Sequence, residues 1–178
     1  MREKMQTSAI PKLSNSTLSK LPSGVKIPNY NRSNLTAGIV HIGLGNFHRA
    51  HQSWYLHRLM QQGKAHDWAI IGAGVTNYDK QMRDKLRKQD YLTTLIELDP
   101  EGNKAYEIVG PMVDYIQIEE GNNPLIQAML DSKIRIVSLT VTEGGYFLDE
   151  KGDLALDHPD LVYDIENPQK PKTVFGVP

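Results

Sequence analysis

Short apolar runs alternate with amphipathic segments along most of the chain. Apolar runs over residues 38–44, 67–73 and 134–141 predict three buried strands. Apolar positions at helical spacing over residues 47–62, and over about 79–88, predict helices that follow the first two strands. Strands that alternate with helices build parallel sheets, so this order predicts an α/β fold with a mostly parallel sheet. The run at 134–141 is the most continuous one, and it predicts a central strand covered on both faces.

One segment departs from the alternation of strands and helices. Strand patterns over residues 91–98 and 104–112 flank Asp99-Pro100-Glu101-Gly102, which has proline at the second position of a turn and glycine at the fourth. The sequence therefore predicts an antiparallel hairpin inserted into the mostly parallel α/β fold. Residues 1–37 are rich in Ser, Asn, Pro and Lys, and they predict a largely irregular arm on the surface of a domain formed by residues 38–178.

Composition narrows the classes of function and partner. The 178 residues are 39% hydrophobic and 23% charged, which is typical of one globular domain. A net charge of −1 excludes a strongly basic nucleic-acid surface, and the absence of cysteine excludes disulfides, thiolate metal sites and a catalytic thiol. The sequence shows neither an apolar run long enough to cross a bilayer nor an N-terminal signal peptide. We therefore expect a cytoplasmic protein with no nucleic-acid and no membrane partner.

The turn after the first strand is the most informative segment of the chain. Residues 38–51 read Gly-Ile-Val-His-Ile-Gly-Leu-Gly-Asn-Phe-His-Arg-Ala-His. Gly43 permits a tight turn, Gly45 lets backbone amides approach a pyrophosphate, and the start of the following helix stabilises the anion. His48 stands where the usual fingerprint has a third glycine. By spacing alone, a strand-to-helix turn that needs glycine only for its geometry is the better explanation.

Four further side chains are candidates for ligand contacts. Asp79 follows the second strand, where a dinucleotide-binding fold places an acid that accepts from the 2′-hydroxyl of the adenosine ribose. Its separation from Gly45 exceeds the roughly 20 residues of the usual fingerprint, and an N-cap of the next helix is an equally natural role. Arg49 offers charge-assisted hydrogen bonds to phosphate. His48 and His51 lack a third metal ligand nearby, so we predict that they pack or hydrogen-bond at the helix start and bind no metal.

Two motifs resemble a known family. G-x-G-x-F-H-R-A-H over residues 43–51 and S-L-T-V-T-E-G-G-Y over residues 138–146 resemble the N-terminal part of the mannitol dehydrogenase family, the long-chain polyol dehydrogenases that include fructuronate and tagaturonate reductases. The resemblance covers residues 20–178, and chains of the family are well over twice this length. It implies a Rossmann-like dinucleotide-binding domain that uses NAD, is incomplete at its C-terminus and lacks the substrate domain.

The resemblance also implies an activity. This is NAD-dependent oxidation of a secondary alcohol on a polyol, D-mannitol to D-fructose. Reduction of fructuronate or tagaturonate and a non-catalytic nucleotide-binding module are the alternatives. The family's catalytic lysine, with its asparagine and histidine partners, lies in the C-terminal part, so no catalytic residue is predicted in this chain. We expect the chain alone to be inactive, because its polyol or ketose substrate requires that part.

The resemblance places the second motif near the nicotinamide half of the cofactor, with Glu143 at the rim of the active site. A solvated Glu143 beside a simple glycine turn fits the sequence equally well. Asp79 favours NAD over NADP, although Tyr78 replaces a second acid that relatives carry. The residues predicted to bind the cofactor are Ile42, Gly43, Leu44, Gly45, Asn46, Phe47, His48, Arg49, Asp79, Thr142 and Glu143.

Overall fold

The computed structural model describes residues 12–74, 77–117, 122–141 and 143–172. The chain divides into two compact units, Met1–Thr140 and Val141–Pro178. The strands of the described residues are β1 (Val25–Lys26), β2 (Ala37–Ile42), β3 (Ala69–Gly74), β4 (Thr93–Leu98), β5 (Lys104–Val109), β6 (Met112–Gln117) and β7 (Ile136–Leu139). The α-helices are α1 (Asn46–Ala50), α2 (Gln52–Gln61), α3 (Asn77–Arg87), α4 (Asn123–Met129) and α5 (Pro159–Glu166).

A four-stranded parallel sheet lies at the centre of the first unit, in the order β6-β3-β2-β7. Two apolar clusters cover it. Leu86 of α3 packs with Met112 of β6, and Leu125 of α4 packs with Val40 of β2 and Ala73 of β3. All five side chains are almost fully removed from solvent, so helix–sheet packing supplies the apolar burial that stabilises the fold. The predicted α/β fold with a mostly parallel sheet is confirmed.

The predicted hairpin is also confirmed, and it belongs to a sheet of its own. β4 and β5 pair in antiparallel register from Thr93 opposite Val109 to Leu98 opposite Lys104, while β1 adds to the other edge of β5 in parallel. The connecting turn has Gly102 at φ +85°, a conformation that glycine adopts without steric cost. Local turn chemistry therefore sets the register of this hairpin.

The second hairpin strand ends earlier than the sequence predicted. β5 stops at Val109, and Gly110-Pro111 leads the chain into β6, which pairs with β3 in the parallel sheet. Pro111 has no amide proton to donate, but its carbonyl accepts from the Ile70 amide at 3.0 Å. The prediction of one strand over 104–112 is wrong, because Pro111 separates two strands that belong to different sheets.

β7 comes from the most continuous apolar run of the sequence, and it lies at an edge of the sheet formed by the described strands. β7 pairs only with β2 among the described strands, and its Val137 and Leu139 side chains are 48% and 51% exposed. The prediction that this strand is central and covered on both faces is therefore wrong for the described residues. An apolar run shows that a strand tolerates burial, but it does not show which elements cover it.

The N-terminal arm adds ordered elements to the first unit. A 3-10 turn covers Asn15–Lys20. Further along the arm, the Arg32 guanidinium donates to the backbone carbonyls of Asp90, Gly110 and Met112 at 2.7–2.8 Å. Arg32 thereby satisfies carbonyl groups at the bend between β5 and β6. The sequence did not predict this buried role.

A buried polar network joins the arm, α2 and β5. The Tyr30 hydroxyl lies 2.7 Å from His57 Nδ1, and His57 Nε2 lies 3.6 Å from Glu107 Oε1. Trp54 Nε1 donates to Glu107 Oε2 at 2.9 Å, and the Arg58 guanidinium lies 3.4 Å from the same oxygen. Burial lowers the pKa of His57 to about 4, although the Glu107 carboxylate opposes the shift. His57 is therefore neutral at pH 7.

The second unit contains a 3-10 turn over Glu143–Tyr146, a two-residue bridge between Leu148 and Leu154, and α5. His158 precedes α5, and its Nδ1 accepts from the Asp160 amide at 3.2 Å, which caps the helix. Pro159 then occupies the first helical turn, where its missing amide proton costs no hydrogen bond. The longest helix in the described part of the chain, α3, has 11 residues, and no helix there could span a membrane.

Candidate cofactor-binding site

The loop that follows β2 lies where the connections of the parallel sheet diverge. β2 has β3 on one side and β7 on the other. The Gly43 amide donates to Ala73 O at 3.0 Å, and the Thr140 amide donates to Ile42 O at 3.0 Å. The loop therefore starts at the carboxyl ends of three neighbouring strands. In open α/β sheets this switch point is where ligands bind.

The backbone conformation of the loop requires glycine at only one of its two glycine positions. Gly43 has φ +89°, and a Cβ there would lie 3.0 Å from Thr140 O, so the local backbone needs glycine. Gly45 has φ −67° and ψ 180°, which any residue adopts, and a Cβ there would meet no atom within 4 Å. Turn geometry explains Gly43 but not Gly45. Open space in front of Gly45 fits a group that approaches the backbone closely, as a pyrophosphate does.

The predicted continuous helix over 47–62 is wrong. His51 has φ −120° and ψ −84°, which breaks the segment into α1 and α2. Phe47 lies in the first turn of α1, is 65% exposed and stacks on the His51 ring at 4.4 Å between centroids. Asn46, also exposed, accepts at Oδ1 from Arg49 Nη2 at 2.5 Å. The first amides of α1, at the start of a helix, lack intrahelical acceptors and lie beside the open space at Gly45.

His48 faces the interior of the domain rather than the open space. It is 1% exposed, and its ring stacks on His41 with centroids 3.7 Å apart. Its Nδ1 lies 3.0 Å from Gln52 Oε1. Burial, reinforced by the neighbouring His41, lowers the pKa of His48 to about 3. A neutral imidazole therefore packs where the usual fingerprint has its third glycine.

His41 is a residue of this site that the sequence analysis missed. Its Nε2 lies 3.2 Å from Gly43 O and 3.0 Å from Thr140 Oγ1, and its Nδ1 lies 2.9 Å from Ser138 Oγ. Burial lowers its pKa as well. His41 thus ties the loop of β2 to the end of β7. A histidine inside an apolar strand, two residues before Gly43, was the signal that could have identified it.

Ile42 and Leu44 contribute only their backbone to the loop. Leu44 is buried in the cluster of Leu86 and Met112, and a Cβ on Gly72 would lie 3.0 Å from Leu44 Cγ. Ile42 packs against the cluster that contains Val40. Their side chains hold the loop on the sheet and do not face the open space.

Arg49 belongs to α1 and Asp79 belongs to α3. Arg49 Nε lies 3.4 Å from Gly45 O, and its Nη1 lies 3.4 Å from Met82 Sδ on α3. Asp79 lies in the first turn of α3, which begins at Asn77, so it is not the N-cap. Its side chain lies over the end of β3, because a Cβ on Gly74 would be 2.7 Å from Asp79 Cγ. Asp79 therefore lies at the strand end where dinucleotide-binding folds place an acid that hydrogen-bonds the ribose.

The remaining predicted residues belong to the second motif. Thr142 lies outside the described residues. Glu143 begins the 3-10 turn of the second unit. No three His, Asp or Glu side chains lie together as a metal site within the ranges that the structure describes. His48 and His51 face different partners, His41 and Phe47 respectively.

The sequence that forms this site matches a known family. The family model "Mannitol dehydrogenase Rossmann domain" matches residues 37–177, which is most of the chain. The chain belongs to the mannitol dehydrogenase family. The resemblance inferred from the two sequence motifs is therefore confirmed, and so is the Rossmann-like fold.

The chain matches only part of the length of each individual relative. A mannitol 2-dehydrogenase of Cereibacter sphaeroides is 56% identical over 149 residues, 84% of this chain and 31% of that protein. A polyol:NADP oxidoreductase of Gluconobacter oxydans is 39% identical over 90% of this chain and 33% of that protein. The solved ternary complex of Pseudomonas fluorescens mannitol 2-dehydrogenase with NAD and D-mannitol is 41% identical, with a TM-score of 0.77 over 93% of this chain and 34% of that one. The chain spans about a third of the length of these relatives.

Proposed function

We propose that this chain binds NAD(H) and forms the cofactor-binding part of an NAD-dependent polyol dehydrogenase. In this proposal residues 38–178 are the dinucleotide domain. Backbone amides of the loop and of the first turn of α1 hold the pyrophosphate, and Asp79 accepts from the adenosine ribose. The observation that carries the proposal is the open space at Gly45, beside a loop at the switch point of the sheet.

Cofactor choice follows from the charge at the end of β3. A carboxylate on Asp79 accepts hydrogen bonds from ribose hydroxyls and repels the 2′-phosphate of NADP, so NAD is favoured. Arg49 of α1 places positive charge beside the loop and suits contact with the pyrophosphate. The names of the relatives include both NAD and NADP, so cofactor choice within this family is a property of individual chains.

The reaction proposed for the complete enzyme is oxidation of a secondary alcohol of D-mannitol to give D-fructose. When bound, NAD accepts a hydride from the alcohol carbon. The residues of this chain hold the dinucleotide and align it, and no residue here is proposed to take the hydroxyl proton. The names of the relatives support a polyol substrate, mannitol before uronates. Fructuronate or tagaturonate reduction remains the alternative within the family.

Calorimetric titration of the 178-residue chain tests the proposal. The loop and Asp79 contact the adenosine and pyrophosphate half, so ADP-ribose should bind within about threefold of NADH. Nicotinamide mononucleotide should bind at least about tenfold more weakly, because it lacks the adenosine ribose. Absence of saturable NADH binding would contradict the proposal and favour a scaffold that has lost its ligand. Tighter binding of nicotinamide mononucleotide than of ADP-ribose would place the site elsewhere.

A further inference from the structure

Tyr115 on β6 has a buried hydroxyl that the fold does not satisfy. The residue is 5% exposed, and its ring packs with Leu44, Leu86 and Met112. Its hydroxyl oxygen has no hydrogen-bond partner among the described residues. A buried donor without a partner gives up its hydrogen bond to water without a replacement. Packing alone therefore does not explain this hydroxyl.

A hydrogen-bond acceptor lies close to this hydroxyl. The point that a Cβ would occupy on Gly74 lies 2.7 Å from Tyr115 Oη and 2.7 Å from Asp79 Cγ. The hydroxyl and the carboxyl group therefore both lie at the end of β3, where Gly74 has no Cβ to obstruct them. Asp79, Arg83 and Arg49 are the charged groups that act on the hydroxyl, and burial together with Asp79 raises the pKa of Tyr115 to about 12. Of these three groups only Asp79 accepts a hydrogen bond, since a guanidinium has donors alone.

We propose that Tyr115 is a positioning residue for cofactor choice, whose hydroxyl donates to one oxygen of Asp79 when the dinucleotide is bound. The other oxygen of Asp79 is then held toward the ribose hydroxyls. This inference rests on the proposed function, because it assigns a second residue to the ribose end of the same site. Glycine at position 74 agrees with this arrangement, since a Cβ there would overlap with both side chains.

A positioning role for the Tyr115 hydroxyl and a role in core packing alone predict different effects of removing that hydroxyl. Phenylalanine keeps the ring in its cluster and removes only the hydroxyl, so Tyr115→Phe should leave the melting temperature unchanged or slightly raised. A charge-assisted hydrogen bond that holds Asp79 toward the ribose hydroxyls should strengthen binding of NADH, so its loss should weaken that binding. Binding of NADPH should stay nearly unchanged, because a phosphate replaces the 2′-hydroxyl that Asp79 would bind. A packing defect would instead weaken the binding of both cofactors.

A double-mutant cycle on the 178-residue chain tests this, with Kd values of NADH and NADPH measured for wild type, Tyr115→Phe, Asp79→Ala and the double variant. Tyr115→Phe should lower the NADH preference by about tenfold in the wild-type background and by less than about twofold in the Asp79→Ala background. The matched control is Tyr91→Phe. Tyr91 packs against the same cluster, but its hydroxyl donates to Asp114, so the preference should not change.

Three results would overturn the inference. One is that Tyr115→Phe binds NADH with an unchanged preference over NADPH, although Asp79→Ala lowers that preference. Another is an equal effect of Tyr115→Phe with and without Asp79. A third is an equal loss of NADH and NADPH binding. If wild type binds no NADH at all, the proposed function fails as well, so the two failures are distinguishable.

Discussion

Replacement of Gly45 by valine is expected to weaken NADH binding by about a hundredfold while the domain stays folded. The side chain would enter the open space where the pyrophosphate approaches the backbone. Hydrogen bonds to a charged group contribute about 1.5–3 kcal/mol each, and every 1.4 kcal/mol is tenfold in Kd. The fold should tolerate the change, because Gly45 has an extended backbone and no atom lies within 4 Å of a Cβ there.

Gly24 provides a matched control for this substitution. A Cβ on Gly24 also meets no atom within 4 Å, and Gly24 precedes β1 rather than the loop after β2. Gly24→Val should therefore keep the NADH affinity within about twofold of wild type. Calorimetry measures the affinities, and thermal melts confirm that both variants are folded. Equal affinity of the two folded variants would show that Gly45 does not face the cofactor.

The free energy of unfolding is expected to fall by about 4 kcal/mol between pH 7.5 and pH 5, from His48 and His57 together. Both side chains are at most 1% exposed, and burial lowers their pKa values from 6.5 to about 3 and about 4. In the unfolded chain they take up protons below pH 6.5, whereas in the folded chain they stay neutral. Their contribution is therefore complete above pH 6.5 and is lost progressively as pH falls toward 4 and 3.

Urea denaturation at several pH values between 7.5 and 5 measures this loss, in a range above the titration of most carboxyl groups. His48→Gln should remove about 2 kcal/mol of the pH dependence, because a glutamine does not titrate there. His57→Gln should remove a similar amount, and it serves as a second variant on a different network. His41, whose pKa is also lowered by burial, adds to the part that remains. A free energy of unfolding that is flat over this range in wild type would mean that neither histidine is held neutral by the fold.

Local sequence chemistry predicted the elements whose shape depends on a few adjacent residues. The residues of the Asp99–Gly102 turn predicted the hairpin, and Gly43 predicted the end of β2. Both predictions succeeded because the backbone conformation at a turn depends on the residues in it. The division between β5 and β6 was missed, although Pro111 marks it. A strand changes sheets there, and the partner of β6, which is β3, lies about forty residues earlier in the chain.

The candidate site was only partly predictable. Loop positions 43 and 45 and the acid at 79 follow from a motif whose mechanism is local to a strand end. His41 and Tyr115 were missed, because their roles depend on neighbours that the fold brings from β7 and α3. His48 was predicted to bind the cofactor or to pack at the helix start. Its stacking on His41 favours packing, since a fully buried ring cannot also face the open space.

Amide NMR spectra of the chain, recorded as NADH is added, test the central claim most directly. The claim is that backbone groups of Gly43–Phe47 hold the dinucleotide. It predicts that the largest shift changes fall on the amides of Gly45, Asn46 and Phe47, with smaller ones near Asp79. The chain also has a cavity of about 290 Å³ lined in part by Tyr30, Gln61 and His66. Changes concentrated there, with the amides of the loop unaffected, would contradict the account.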